Sequence, residues 1–448
     1  MKKLTLVSLF LGFTFAVAAA DTNAAPDWLT RPLSLADSLN IALEQNPTIL
    51  KAKNDLEAQY GVVIQTRAIA IPKVQTSSGY QYTTEVESFP IPGGPPAQNQ
   101  SWNANIQLVQ TIYQGGQISS ALRSARLTKE QAVLQYQTVV ADSLLQVRLA
   151  YYDVLSAAEQ IIVEEASVKL LTQELDDQKR RFDAGTVPRF NVLRAEVELA
   201  NERPRLIQAR NFHRIAKNNL VNLLGFHVPP QTSEDVPMQL TDKLDDQPYS
   251  IELPVAVAKA LENRSELAAL RKQESLKKEA LISAKSTYKP TVQAIGGYGA
   301  RNTSFNNDLG TTVHGWSVGA QATWSLFDGG LTRGKSDQAD ALYKGAKVDV
   351  DNGARGIELE VRTDYSNFIE ARETLESQKK VQEQAEEALR LATARSDAGT
   401  GTQLDVLSAQ TSLTQARSTQ VQALHDYDVA RARLERAIGV NIMQSNQP

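Results

Sequence analysis

The stretch RSDAGTGTQLDVLSA, Arg395–Ala409, has a counterpart 214 residues earlier, RFDAGTVPRFNVLRA, Arg181–Ala195. A match of that length inside one chain means that self-similarity must be traced before any shorter motif is interpreted. At the same offset IYQGGQ (Ile112–Gln117) falls on LFDGGL (Leu326–Leu331), and Leu224-Gly225 on Ile438-Gly439. Nearer the start the offset is 218: SLNIALEQNP (Ser38–Pro47) resembles AVAKALENRS (Ala256–Ser265), and Pro72, Val74, Gly79 and Tyr80 fall on Pro290, Val292, Gly297 and Tyr298. The change of offset is that of a second copy with four fewer loop residues. The chain reads as a tandem duplication of about 200 residues per copy.

The repeat disposes of a misleading motif. Gly329 to Ser336, GGLTRGKS, contains G-x-x-x-x-G-K-S, the spacing of a phosphate-binding loop. Its first-copy equivalent, GGQISSAL (Gly115–Leu122), keeps the paired glycines but has neither the third glycine nor the lysine. What both copies share is a Gly-Gly strand-to-helix turn, where glycine supplies unusual backbone angles. The preceding WSVGAQATWSL alternates instead of running apolar as a buried parallel strand would. No nucleotide site is expected.

The 448-residue chain begins MKK, runs uncharged from Leu4 to Ala20 and ends that run in Ala18-Ala19-Ala20. This is the pattern of a secretory signal peptide, residues 1–20. Removing its two lysines from the 47 basic residues, against 51 acidic, takes the net charge from −4 to −6. A mildly acidic chain without a basic block offers nucleic acid little. With no cysteine there is no disulfide framework, no thiolate metal site and no lipidation site after the leader. No later apolar run approaches the ~20 residues of a membrane helix.

Each copy holds two alternating segments. Trp102, Ala104, Ile106 and Leu108 share one face and Asn103, Asn105 and Gln107 the other. In the second copy Trp316, Val318, Ala320, Ala322, Trp324 and Leu326 oppose Ser317, Gly319, Gln321, Thr323 and Ser325. The partner segments, Val74–Val86 and Val292–Ala300, alternate more weakly. A soluble sandwich would alternate too. Strand length, Trp near strand ends (Trp102, Trp316, Trp324) and small uncharged residues opposite favour outer-membrane strands with a lipid face and a water face. Four strands cannot close a barrel and an open edge cannot sit in lipid, so three chains would have to supply twelve. The loops ESFPIPGGPPAQNQ and TSFNNDLGTTVHG would lie at the hairpin tips.

From Ile118 to Phe182 there is neither proline nor glycine, enough for a helical rod of roughly 95 Å. Val133, Val140, Val147, Val154, Ile161, Val168 and Leu175 recur at strict sevens, the seam of a supercoiled helix. Thr332 to Arg395 carries a looser seam through Ala354, Val361, Phe368 and Leu375. A shorter helix follows each rod, and in the last Ala409, Ala416, Ala423, Ala430 and Ala437 step by seven. Further helices are expected at Thr48–Ile69 and Glu266–Ser286.

A leader, a duplication, paired amphipathic strands and long helical hairpins together resemble the outer-membrane efflux protein family, the TolC-like channel-tunnels. The most specific motif is R-x-D-A-G-T-x-x-x-x-D-V-L-x-A-Q before a helix ending in Ala-Ile-Gly, with its echo at Arg181. The resemblance covers nearly all of the mature chain. It implies an α+β membrane protein: a homotrimer with a twelve-stranded β-barrel, four strands per chain, continued by a twelve-helix α-barrel through the periplasm. The expected division is a first repeat 21–225, an equatorial linker 226–250, a second repeat 251–439 and a tail 440–448. Short helices near Leu35–Glu44 and Leu253–Glu262 would join the equatorial region.

The resemblance also implies partners: a periplasmic adaptor, an inner-membrane pump and outer-membrane lipid, with no cofactor and no metal. Its tips, Asp183–Arg189 and Asp397–Gln403, would meet the adaptor through Ala184, Gly185 and Thr186 and through Ala398, Gly399 and Thr400. Gly185 and Gly399 are equally suited to capping a helix C-terminus. At the family's constriction Asp405 matches the first of two aspartates, but Ser408 stands in place of the second. Three copies of Asp405 would form an anionic ring, although an aspartate at a helix start is also stabilised by the helix dipole. Ser396 and Gly401 occupy the positions of the usual tethers, leaving Arg189, with Asn191 beside it, as a substitute. His213, His227, His314 and His425 are scattered, with no catalytic constellation. The competing assignment is a soluble periplasmic coiled-coil adaptor, which would leave the Trp-bearing faces unexplained.

Overall fold

The computed structural model describes residues 31–83, 99–226, 235–244, 246–302 and 308–440. The leader and residues 21–30, residues 84–98 and 303–307 of the two strand-connecting loops, residues 227–234 and 245 of the linker and the tail beyond Val440 lie outside them.

Among the described residues one series of elements occurs twice. It runs α1 (Leu35–Gln45), α2 (Pro47–Arg67), β2 (Lys73–Tyr82), β3 (Gln100–Gln114), α3 (Gln117–Asp183) and α4 (Arg189–Leu223). It then runs α5 (Leu253–Asn263), α6 (Ser265–Ser286), β5 (Thr291–Asn302), β6 (Thr312–Thr323), α7 (Leu331–Asp397) and α8 (Gln403–Ile438). The long helices α3 and α7 both have 67 residues, which is roughly 100 Å of helix. Two short parallel strands, β1 (Pro32–Leu33) and β4 (Gln239–Leu240), pair the start of the chain with the linker.

The four long strands form one antiparallel sheet in the order β2-β3-β5-β6, so β2 and β6 are its edges. Near the sheet the helices pack side by side as α2–α3–α6–α7, and farther away as α4–α3–α8–α7. One flank of the chain is therefore β2, α2 and α4, and the other is β6 and α7.

The expected seams are where the helices bury their side chains. Val147, Val154 and Leu175 of α3 are buried, as are Val361, Phe368 and Leu375 of α7. Four of the five seam alanines of α8 (Ala416, Ala423, Ala430 and Ala437) are buried as well, the small side chains that let α8 lie close to its neighbours. Two large clusters centre on the equatorial helices, one around Leu39, Tyr151 and Leu220, the other around Ala256, Phe368 and Leu434. Between them lies a charged network. Arg148 of α3 pairs with Glu435 of α8 at 2.5 Å, while Arg264 at the start of α6 meets Glu266 and Glu360, each at 3.0 Å. Arg436 reaches both Glu266 and Asp142. Charges taken from water are tolerated only when paired in this way, and removing one partner typically costs about 3–5 kcal/mol.

Among the described residues the positive-φ glycines are Gly115, Gly116, Gly185 and Gly225 and, 214 residues on, Gly329, Gly330, Gly399 and Gly439. Gly116 and Gly330, at φ 101° and 89°, are the N-caps of α3 and α7. The first pair permits a clean test. A Cβ at Gly115 would lie 2.3 Å from the Ser286 carbonyl oxygen, whereas at Gly116 it would meet open space. Gly116→Ala should cost only the left-handed backbone penalty, about 1–2 kcal/mol. Gly115→Ala should be far more damaging, because α6 must also move. Denaturant unfolding of the two variants in detergent measures the difference; equal losses would mean that the close approach of α6 is unimportant.

Candidate functional site

The Asp-Ala-Gly-Thr of each hairpin tip is a helix ending. Thr186 N donates to Arg181 O at 2.9 Å and Thr400 N to Arg395 O at 3.0 Å, closing the same turn over a glycine at φ 76° and 71°. Each threonine hydroxyl adds a second bond to the same carbonyl, at 2.8 and 3.2 Å. The hydrogen-bonding groups of Thr186 and Thr400 thus serve the cap, while Ala184–Thr186 and Ala398–Thr400 remain exposed at the extreme end of the molecule.

Asp405 is the third residue of α8 and forms a reciprocal cap with Thr402. Its amide donates to Thr402 Oγ1 at 3.2 Å, and its Oδ2 accepts from Thr402 N at 2.9 Å and from the Thr402 hydroxyl at 2.8 Å. Those bonds, with Arg395 nearby, hold the exposed carboxyl below the usual aspartate range, so it stays charged. Ser408 lies one turn on and is also exposed.

The tips are joined by pairings that the sequence did not show, although Asp397 and Gln403 bound the expected tip and Asn191 is one of the gate candidates. Arg181 Nη2 donates to Asp397 Oδ1 at 3.2 Å while its Nε sits 2.6 Å from Asp177. Gln403 Nε2 donates to the backbone oxygen of Asn191 at 3.2 Å. Arg181 and Asp397 belong to the repeated motif in opposite copies, a pairing that only the side-by-side placement of the hairpins could reveal. Arg189 is exposed, and the cross-tip ion pair of the structure is made by Arg181.

At the other end the strand faces are in phase. Register places Trp102 beside Tyr80, Ile106 beside Tyr298, and Tyr298 beside Trp316, so the apolar sets of all four strands lie on one face. The Tyr298 and Trp316 rings meet edge-on at 5.2 Å. Trp316 and Val318 are 82% and 89% exposed, an apolar surface that water would not favour. On the opposite face Asn103 and Asn105 extend over Gly79 and Gly299. Trp324 lies one residue beyond β6 rather than within it, where its indole donates to the Tyr288 carbonyl at 3.1 Å. Ile295 and Val313 interrupt the polar face.

The phosphate-loop spacing has no phosphate geometry. Gly329 and Gly330 make the turn, and Leu331 onward is helix. The amides a phosphate would use are taken by Asp328, which accepts from Gly330 N at 3.1 Å and Thr332 N at 2.8 Å. Ser336 is buried in α7.

With this geometry in view, the likenesses to known proteins fall into place. A family model described as "Outer membrane efflux protein" matches residues 38–226 and 256–440. "Outer membrane protein TolC" of Vibrio cholerae is 24% identical over 95% of this chain and 94% of its own length. "Cobalt-zinc-cadmium resistance protein CzcC" of Cupriavidus metallidurans is 26% identical over 97% and 98%. The solved outer membrane protein VceC of Vibrio cholerae superposes with a TM-score of 0.76 at 18% identity, covering 90% of this chain and 96% of that one. Sheet, equatorial helices and paired hairpins thus share the fold of solved outer-membrane channels, and the family match spans both halves of the chain. The chain belongs to the outer membrane efflux protein family.

Proposed function

We propose that three copies of the chain close into a continuous duct: a twelve-stranded barrel in the outer membrane and a twelve-helix tunnel below it. The chain is an outer-membrane channel for efflux or type I secretion, with its helices in the periplasm. The observation that carries the ring closure is the pair of open edges, and the number three is the one that the family resemblance implies. β2 and β6 leave backbone groups unpaired beside an apolar face, and such edges cannot remain open in lipid. Every layer also starts on the β2–α2–α4 flank and ends on the β6–α7 flank. Joining one flank to the other of the next copy is a head-to-tail contact, the kind that closes rings. Ile64, Ile71 and Phe190 on the first flank, and Leu342, Val348 and Leu359 on the second, are exposed apolar side chains available to it. The repeated element series supports a tandem duplication, with repeats 21–225 and 251–439 flanking the linker 226–250 and the tail 440–448 following.

In this duct transport is passive, and direction and energy come from an inner-membrane pump through a periplasmic adaptor. The exposed Ala-Gly-Thr caps are the adaptor contacts, and three Asp405 carboxylates form the charged ring at the periplasmic mouth, with Ser408 beside it. The cross-tip bonds of Arg181 and Gln403, rather than Arg189, hold the two hairpins of a chain together. Trp102, Trp316 and Trp324 face lipid. A soluble coiled-coil adaptor accounts for none of the exposed strand surface. The cargo class is left to the pump and adaptor; the metal resistance in the name of CzcC belongs to that protein.

Planar-bilayer recording tests the ring. Asp405→Asn is the right variant, because it keeps an acceptor for the Thr402 cap while removing the charge. It should lower cation selectivity with little change in stability; unchanged selectivity would discard the ring and keep the channel. Arg181→Ala and Asp397→Ala should each raise open probability, and the double variant should add little to either. In water such an exposed pair is worth only about 0.2–1 kcal/mol, so the gating change should be a few-fold. Full additivity in that cycle would show that the pair does not act as a tether. Chemical cross-linking of the purified protein should trap trimers, and a monomer that inserts and conducts would overturn the ring.

A further inference from the structure

Beyond the Arg148–Glu435 and Arg436–Asp142 ion pairs, the α3–α8 contact between the two hairpins of one chain continues as a line of polar side chains. Asp153, Gln160 and Ser167 step by seven along α3, beside its valine seam, and meet His425, Ser418 and Thr414 of α8. The imidazole of His425 lies 2.8 Å from Asp153 Oδ1 through Nε2 and 3.1 Å from Asp426 Oδ1 through Nδ1. Ser418 donates to Gln160 Oε1 at 3.0 Å, and Gln160 donates to Glu164 Oε1 at 2.8 Å. Thr414 donates to Ser167 at 3.1 Å, and Ser167 donates to Glu202 of α4 at 2.5 Å. Glu164 and Glu202 are each only 7% exposed, and Glu164 Oε2 is buried without a partner. Two residues past Glu202, Pro204 interrupts the hydrogen bonding of α4 and weakens that helix beside the pair.

We propose that this seam is a proton-operated latch. A protonated His425 of α8, clamped by Asp153 of α3 and by Asp426, holds the two hairpins together, and a proton on Glu164 keeps α3 and α4 of the first hairpin packed behind that contact; losing those protons releases them. The latch rests on the proposal above that contacts between the hairpins control how far the duct opens.

The groups around each site set the direction. Burial, and then the negative charge of Glu202, push the Glu164 carboxyl up, with Gln160 and Arg205 of α4 opposing; Glu202 itself pairs with Arg205 at 3.5 Å, and α8 brings the hydroxyls of Thr414 and Ser418 to this contact. Burial disfavours a charged His425, but Asp153 of α3 and Asp426 outweigh it and raise its pKa. Phe212 of α4 lines the same cavity, and Asp426 shares the next one with Asp364 and Glu370 of α7 and Arg433. A group whose pKa is raised by folding contributes stability below its unfolded value and loses it as pH rises through the folded one. Both sites therefore weaken in the same direction, as pH rises.

The absence of cysteine permits spin labels at Ala184→Cys and Ala398→Cys in full-length trimers diluted with unlabelled chain. Tip-to-tip distances are read by pulsed electron resonance from about pH 5 to about pH 8. The distribution should be narrow at the acid end, then lengthen and broaden as pH rises. Glu164→Gln imitates the protonated carboxyl and should leave only the His425 step; adding His425→Gln should flatten the response. Distances in the otherwise wild-type chain that do not change with pH would overturn the latch, as would a Glu164→Gln, His425→Gln double variant that keeps the full response. Conductance recorded over the same range separates the two proposals. A pH-dependent distance without any channel activity would sink the duct and spare the latch.

Discussion

An unpaired strand edge cannot be left in hydrocarbon, and the rest of this molecule is arranged around that constraint. Four strands bring most of their apolar side chains to one face, yet β2 and β6 end the sheet with unsatisfied backbone. Each edge continues into a helical flank, so a neighbour that pairs with the strand is also positioned along the helices. The head-to-tail closure proposed above satisfies membrane and periplasmic regions with one symmetry operation. Barrel and tunnel would then share their strand and helix count because both come from the same chain order.

Transferring that order from sheet to helix depends on two short turns. Each uses a glycine pair in left-handed conformation, and each delivers the chain into a helix of 67 residues without a break. Such a helix has no compact core to stabilise it along its length. It is held by narrow seams instead: branched aliphatic side chains on α3, aromatic and aliphatic ones on α7, and alanines on α8. The equatorial clusters and the Arg148, Arg264 and Arg436 ion pairs give the hairpins a fixed root. Motion, if the tips gate the duct, is then confined to the part beyond that root, along the α3–α8 line of Asp153, Gln160 and Ser167.

The tips themselves combine two tasks in few residues. The Ala-Gly-Thr turn must end one helix before the next begins, and its hydrogen bonds are consumed in doing so. What remains for a partner is its shape and exposed surface. Asp405 is similar: its Oδ2 completes a helix cap, while the carboxylate as a whole keeps its charge at the exposed end. A structural role and a functional role are therefore not alternatives at these positions, because different atoms or properties of the same residue carry them.

Periodicity was legible in the chain because it is local. Sevens in the valines and alanines, alternation in the Trp-bearing strands, and glycine at repeated turns each reflect one element's own geometry, and the repeat showed that GGLTRGKS was a turn. Side-chain pairing between elements was not legible. Nothing local marks Arg181 as the partner of Asp397, or Asp153 as the partner of His425, since those contacts span 216 and 272 residues. The sequence by itself determined the lengths, faces and turns of the elements, through backbone sterics and the burial of apolar side chains. Only the tertiary structure decided their lateral order, the phase of the strand faces and the charged contacts between helices, because those depend on which surfaces meet.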